Sequence, residues 1–106
     1  MSRILKGTTP TLTFKLKGAL PSDFADFVIT IRQRGNVVVQ KKKADCTCYE
    51  DTVQAQLTQE ETRSFRNGIA VVQIRGITPG GSVHASDVLE FDAEAVLDDE
   101  ILEVAD

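Results

Sequence analysis

The chain has 106 residues, a formal charge of −4 and an apolar content of 42%. That length fits one domain able to bury roughly 60–68% of its unfolded surface, enough for a core without metal or disulfide support. No apolar run approaches the ~20 residues that cross a bilayer. No basic start with an apolar centre and small-residue cleavage site opens the chain, so no secretory signal is read.

These absences lead to an expectation of cytoplasmic synthesis, no membrane partner and reduced cysteines. The charge is uneven. Residues 1–91 carry 12 basic and 9 acidic side chains, whereas residues 92–106 carry seven acids and no base. Unlike patches of this kind steer association with a charged neighbour.

Residues 1–10, MSRILKGTTP, read as a basic N-terminal arm, with residues 11–106 as a single domain. Ile4 and Leu5 are too apolar for solvent filler; they suit a short edge strand or a contact with a neighbouring subunit. Thr11 to Lys17 alternates, turning Leu12, Phe14 and Leu16 to one face and Thr or Lys to the other. Gly18 to Asp23 is a loop, with a turn or short 3₁₀ element at Pro21-Ser22-Asp23-Phe24.

Asp26 to Arg34 follows as a long strand, with Phe27, Ile29 and Ile31 facing one way and Val28, Thr30 and Arg32 the other. A reversal at Gly35-Asn36 leads into Val37 to Lys41, the clearest hairpin in the chain. Ala44 to Tyr49 is a short strand or an extended crossing. Val53, Ala55 and Leu57 alternate again, and Thr58-Gln59-Glu60-Glu61 then fits a capping box, in which Thr58 and Glu61 satisfy each other's backbone amides. Leu57, just before the cap, can pack against Thr62 or Phe65. Asn67-Gly68 returns the chain into a strand over Ile69 to Arg75.

Gly76 to Ser82 is a loop with a strong turn signal at Pro79-Gly80-Gly81. Val83 to Phe91 reads as one strand bent near Ser86, where the apolar phase changes. Ala93, Ala95 and Leu97 continue the alternation, and residues 98–102 close the chain. About seven short strands with one helical turn predict an all-β fold: a two-sheet antiparallel, immunoglobulin-like sandwich.

The chemistry-bearing residues are sparse. His84 is the only histidine, and in an unbent strand Asp87 would face away from it, so no general base with an orienting partner is read. Cys46-x-Cys48 offers half of a zinc site. No second pair within the chain completes it, and sharing between subunits would be needed. The glycine-rich loop at 76–82 lacks the lysine and helix start of a phosphate loop. The acids of the tail do not fall in calcium-loop order. The expectation is therefore no catalytic residue, no metal and no cofactor.

Lys41, Lys42 and Lys43 with Arg32 and Arg34 could put five cationic groups around one hairpin. Without interleaved aromatics or a recognition helix, that patch is read as meeting an acidic protein surface rather than nucleic acid. Two strands also carry apolar residues on both faces, around Val28 and at 69–74. A sheet with one solvated face normally reads polar there. The interface candidates are therefore Ile4, Leu5, Val28, Val38, Lys41, Lys42, Lys43, and the acids Asp98, Asp99 and Glu100.

Three segments carry a resemblance: Ile4-Leu5-Lys6-Gly7-Thr8-Thr9-Pro10-Thr11-Leu12-Thr13-Phe14, the Leu57-Thr58-Gln59-Glu60-Glu61-Thr62 turn, and Gln73-Ile74-Arg75 with the following Gly turn and Ser86-Asp87. In these the chain resembles small proteins encoded among tail and baseplate genes of phages and prophages of Gram-positive bacteria. It is also similar to the N-terminal β-sandwich domain of the phage baseplate upper protein. The resemblance implies a non-enzymatic structural or adaptor role in a tail or baseplate, with incorporation into a particle. The partner would be another copy or another tail or baseplate protein. It supplies no catalytic pattern. The alternative is a carbohydrate- or small-ligand-binding sandwich, for which Tyr49 is the aromatic to test.

Overall fold

The computed structural model describes residues 2–86 and 88–94, with Ser2 and Arg3 by backbone alone. Among these residues, nine strands form two sheets: β1 (Ser2–Leu5), β2 (Thr11–Lys15), β3 (Asp26–Gln33), β4 (Asn36–Lys42), β5 (Thr47–Tyr49), β6 (Thr52–Gln56), β7 (Gly68–Ile77), β8 (Val83–Ala85) and β9 (Leu89–Glu94). The larger sheet runs β1-β9-β7-β3-β4, with β8 also on β7, and the smaller runs β2-β6-β5. One short helix, α1 (Gln59–Arg63), lies between β6 and β7, and 3₁₀ turns occupy Pro21–Asp23 and Lys43–Asp45.

Alternation decides which side of each strand is wet. Phe27, Ile29 and Ile31 of β3 and Ala70, Val72 and Ile74 of β7 face Val53 and Ala55 of β6 in one core. Leu12, Phe14 and Leu16 pack at its margin. Within this core Phe65 meets Phe91 edge to face, with ring centroids 5.7 Å apart, a geometry that suits the ring quadrupoles.

Two boundaries differ from the sequence reading. The β3–β4 reversal is centred on Arg34 and Gly35, since Gln33 pairs with Asn36. Both central residues have positive φ, 51° and 80°, as a two-residue mirror-image turn requires. The strand expected over Val83 to Phe91 is two strands on one neighbour. β8 pairs with residues 75–77 of β7 and β9 with residues 68–72. Ser86 makes the break, its backbone amide donating to the Ile74 carbonyl and its Oγ accepting the Ile74 amide at 3.0 Å.

Residues 2–5, read as part of an arm, are a strand of the larger sheet, parallel to β9 with Ile4 opposite Ala93. This corrects the role expected of Ile4. It is 5% exposed in the chain's own core, so its apolar area is already used and is not offered to a neighbour.

The crossover from β6 to β7 is bound to both sheets. Thr58 Oγ1 accepts the Glu61 amide at 3.1 Å, and Glu61 Oε1 accepts the Thr58 amide at 2.9 Å. Leu57, Thr62 and Phe65 are all fully buried. The Thr62 hydroxyl donates to the Thr8 carbonyl at 2.7 Å. Gln33, buried at the end of β3, uses both ends of its amide on one residue: Nε2 donates to the Arg66 carbonyl at 2.7 Å and Oε1 accepts the Arg66 amide at 2.8 Å. A buried amide left half-paired would cost about 1–3 kcal/mol.

Lys41 also belongs to this junction. Opposite Ile29 in the β3–β4 register, it turns inward, and its Nζ lies 2.7 Å from Glu61 Oε1. Burial alone pushes the Glu61 carboxyl up, but the Lys41 ammonium and the Thr58 amide outweigh it and hold the group below its usual 4.5. A lowered folded-state pKa stabilises the fold above the unfolded value and loses that contribution as pH falls through the folded one. Glu61→Gln keeps a capping side chain but removes the charge. We expect the variant to be less stable than the parent by denaturant unfolding at neutral pH, and the gap to narrow as pH falls below the usual carboxylate range and through the lowered folded-state pKa. An unchanged gap would show that the ion pair contributes nothing.

Candidate protein–protein interface

The face of the larger sheet turned away from the core carries the residues that β3 and β7 present on their second side. Register places Val28 between Lys42 of β4 and Arg75 of β7. Asp26 stands opposite Ile77, which in turn faces Val83 of β8. Together they line a shallow depression of about 390 Å³ that also includes Gln40. Ile77 is 41% exposed and Val83 53%, whereas Val28 is half-buried.

Below this apolar end runs a polar belt. Gln40 Nε2 donates to Thr30 Oγ1 at 3.4 Å, and Gln73 Nε2 to the Ser86 carbonyl at 2.8 Å. Farther along β7, Ile69 is exposed again at 51%. An apolar centre between Lys42 and Arg75 can bury area against a partner while the long cationic side chains close over its rim.

The basic hairpin patch expected from Arg32, Arg34, Lys41, Lys42 and Lys43 does not form. Strand alternation sends Lys41 inward to Glu61. Lys43 begins the 3₁₀ turn and its Nζ donates to the Phe24 carbonyl at 2.7 Å. Lys42 alone of the three points outward beside Val28. Lys41 and Lys43 are therefore corrected from contact residues to internal ties. Val38 is also corrected: it sits at the irregularity between Ile31 and Arg32 in the pairing and packs against the core, while Val37 is the exposed neighbour. Leu5 is half-buried on β1 opposite Glu94. Asp98, Asp99 and Glu100 lie outside the described residues.

The other chemistry-bearing residues are dispersed. His84 stands opposite Gly76 and meets the Phe24 ring at 6.2 Å in a T-shaped contact. Cys46 is half-buried, and desolvation, with Cys48 and Asp45 adding, pushes its thiol up. Cys48 is exposed on β5. Both are free thiols, and no group of three or more His, Cys, Asp or Glu gathers among the described residues. Tyr49 is 71% exposed on the edge of the smaller sheet, with no aromatic beside it among the described residues.

Ile77 and Val83 were not singled out from the sequence, because Ile77 falls inside, and Val83 beside, what reads as a glycine-rich loop, whereas β7 runs through Ile77. The signal available was the two-faced apolar character of the strand before it.

No protein-family model and no curated protein sequence matches the chain. Among solved structures it is similar to CopC from Methylosinus trichosporium OB3b, with a TM-score of 0.56 and 15% identity over 89% of this chain and 83% of that one. The V domain of amphioxus IgVJ-C2 aligns over 89% of this chain and 99% of its own at 11% identity, with a TM-score of 0.38. Likeness at such identities concerns the fold, and the chain is an all-β, immunoglobulin-like two-sheet sandwich.

Gly76 lies beneath the depression, where the Phe24 ring crosses β7 so closely that an added Cβ would fall 2.7 Å from Phe24 Cδ1. Gly76→Ala should cost about 1–3 kcal/mol by overpacking, seen as a lower denaturation midpoint. Unchanged stability would mean that the ring moves aside freely.

Proposed function

We propose that this chain is a non-enzymatic structural or adaptor protein of a phage or prophage tail or baseplate. It acts through protein–protein contacts with copies of itself or with another tail or baseplate protein. The observation that carries this reading is the outer face of the larger sheet, where Val28, Ile77 and Val83 form an apolar centre between Lys42 and Arg75. A sheet face with such a centre gains free energy by being covered, at roughly 25 cal/mol for each Å² of apolar surface removed from water. The tail or baseplate setting is supported by the resemblance of the Ile4–Phe14, Leu57–Thr62 and Gln73–Arg75 segments.

The arrangement favours contact over turnover. The Asp26 carboxylate already accepts the Phe27 amide at 2.8 Å. The amides of Gln40 and Gln73 are held by neighbouring groups. Among the described residues lining the depression, what remains is apolar area and the two cationic heads of Lys42 and Arg75, the ingredients of a docking surface.

Paired substitution of Ile77→Lys and Val83→Lys tests the reading. Both side chains are exposed, so the far-UV spectrum and unfolding midpoint should stay as in the parent. Self-association measured by solution mass, or co-purification with tail and baseplate proteins, should weaken about tenfold or more, the effect of losing a central anchor. A full-length protein that stays monomeric at high concentration and is absent from purified particles would end the proposal.

A further inference from the structure

The outer face of the larger sheet differs in charge from one end to the other. Ile69 and Val71 alternate with buried Ala70 and Val72 on β7, so they point outward. Register sets Asp92 of β9 opposite Ile69 and Glu90 opposite Val71, on that same face. Glu90 is exposed and Asp92 half-buried. The opposite end carries Lys42 and Arg75 around Val28, Ile77 and Val83. One end is thus apolar with a basic rim, and the other apolar with an acidic rim. Each holds one charge of the minority sign: Asp26 across from Ile77, and Arg32 across from Val71. Among the described residues, neither the Arg75 guanidinium nor the Glu90 carboxylate is in an ion pair.

The two ends are also evenly placed about Gln73. Ile69 and Ile77 lie four residues to either side of it, and Val71 and Arg75 two residues to either side, which is about 14 and 7 Å of strand. The described face from β4 to β9 measures roughly 19 by 27 Å. Two such faces in contact would bury about 1,000 Å², the threshold for a specific contact between proteins. A face that carries both halves of a complementary pair needs no second kind of protein to cover it.

We propose that a second copy of this chain covers the outer face, related to the first by a two-fold axis that lies between the two sheets and crosses β7 at Gln73. This names the partner for the contact surface of the proposed function and rests on that reading. Half a turn about an axis across the strands turns the second face over and reverses its direction. Ile77 then meets Ile69 of the partner subunit, and Arg75 comes over Val71 beside Glu90 of the partner subunit. Each contact occurs twice, as in every isologous interface. The residues nearest the axis, Gln40, Thr30 and Gln73, are uncharged and can lie against their own counterparts. A two-fold axis running along the strands would instead set Arg75 against Arg75 and is disfavoured by like charge.

The test is sedimentation equilibrium of the full chain at low salt, from about 10 μM to about 1 mM. The parent should dimerise, and Arg75→Glu or Glu90→Arg alone should weaken the dimer about tenfold or more by setting like charges together. Both side chains are exposed, so the far-UV spectra should stay as in the parent. R75E/E90R restores opposite charges across the axis and should recover most of the pairing. An equimolar mixture of R75E and E90R should form a heterodimer, because each face then supplies the charge the other needs. A parent that stays monomeric to about 1 mM would overturn the proposal, as would a dimer indifferent to R75E. Recovery of such a chain in purified particles, with this face protected from hydrogen exchange, would overturn only the two-fold pairing and leave the proposed function with a different partner. A charge-dependent dimer that is absent from particles would uphold the pairing and count against the tail or baseplate setting.

Discussion

Of the four places where the described chain changes sheets, the passage from β6 to β7 runs through a buried threonine, and much of the molecule is positioned by it. Thr62 is inside the core with its hydroxyl committed to the Thr8 carbonyl, so the crossover after β6 is tied to the segment that enters β2. One turn earlier, the reciprocal Thr58–Glu61 cap fixes where helix begins. One turn later, Phe65 fills the interior against Phe91 of β9, and Gln33 clasps Arg66 to the end of β3. A helix of five residues has little stability of its own. Here it is held by its own cap, by the ion pair to Lys41 of β4, by the Thr62 bond to Thr8 ahead of β2, and by Phe65 against Phe91 of β9. The two layers stay in register because β6 and β7 are joined through this junction.

Once the layers are fixed, the second face of β3 and β7 has no internal partner among the described residues. The inner positions of β7 are buried at Ala70, Val72 and Ile74, while Ile69 and Ile77 are left exposed on the other side. The short strand β8 widens the outer face at its Ile77 end, because the break at Ser86 lets the chain pair with β7 twice. Val83 is thereby delivered beside Ile77. The proposed docking surface is thus a product of topology: one bent connection turns a loop-flanking valine into part of an apolar cluster.

Much of the fold was legible because its signals are local. The alternation of Leu12, Phe14 and Leu16, the Thr58–Glu61 cap and the packing of Leu57 beside Thr62 and Phe65 all depend on residues a few positions apart. The sandwich followed from them. What was not legible depended on partners distant in sequence. Ile4 looked available until β9 was found beside β1. Lys41 looked solvated because a lysine run suggests a wet face, yet strand alternation and Glu61, twenty residues later, turned it inward. Val38 was read as outward-facing because the irregularity in the β3–β4 pairing leaves no mark in the composition of the hairpin. Of the site itself, Val28 and Lys42 could be read from strand periodicity. Ile77, Val83 and their pairing across β7 and β8 could not.

The central claim is that this sandwich works by having the outer face of its larger sheet covered by another protein. Amide hydrogen exchange, compared between the isolated full-length chain and the chain in a purified particle or tail–baseplate complex, tests it directly. The account predicts added protection at residues 26–30, 73–77 and 83–85, with little change in β2, β5 and β6. Protection confined to the smaller sheet around Tyr49, or no difference between free and assembled protein, would contradict it.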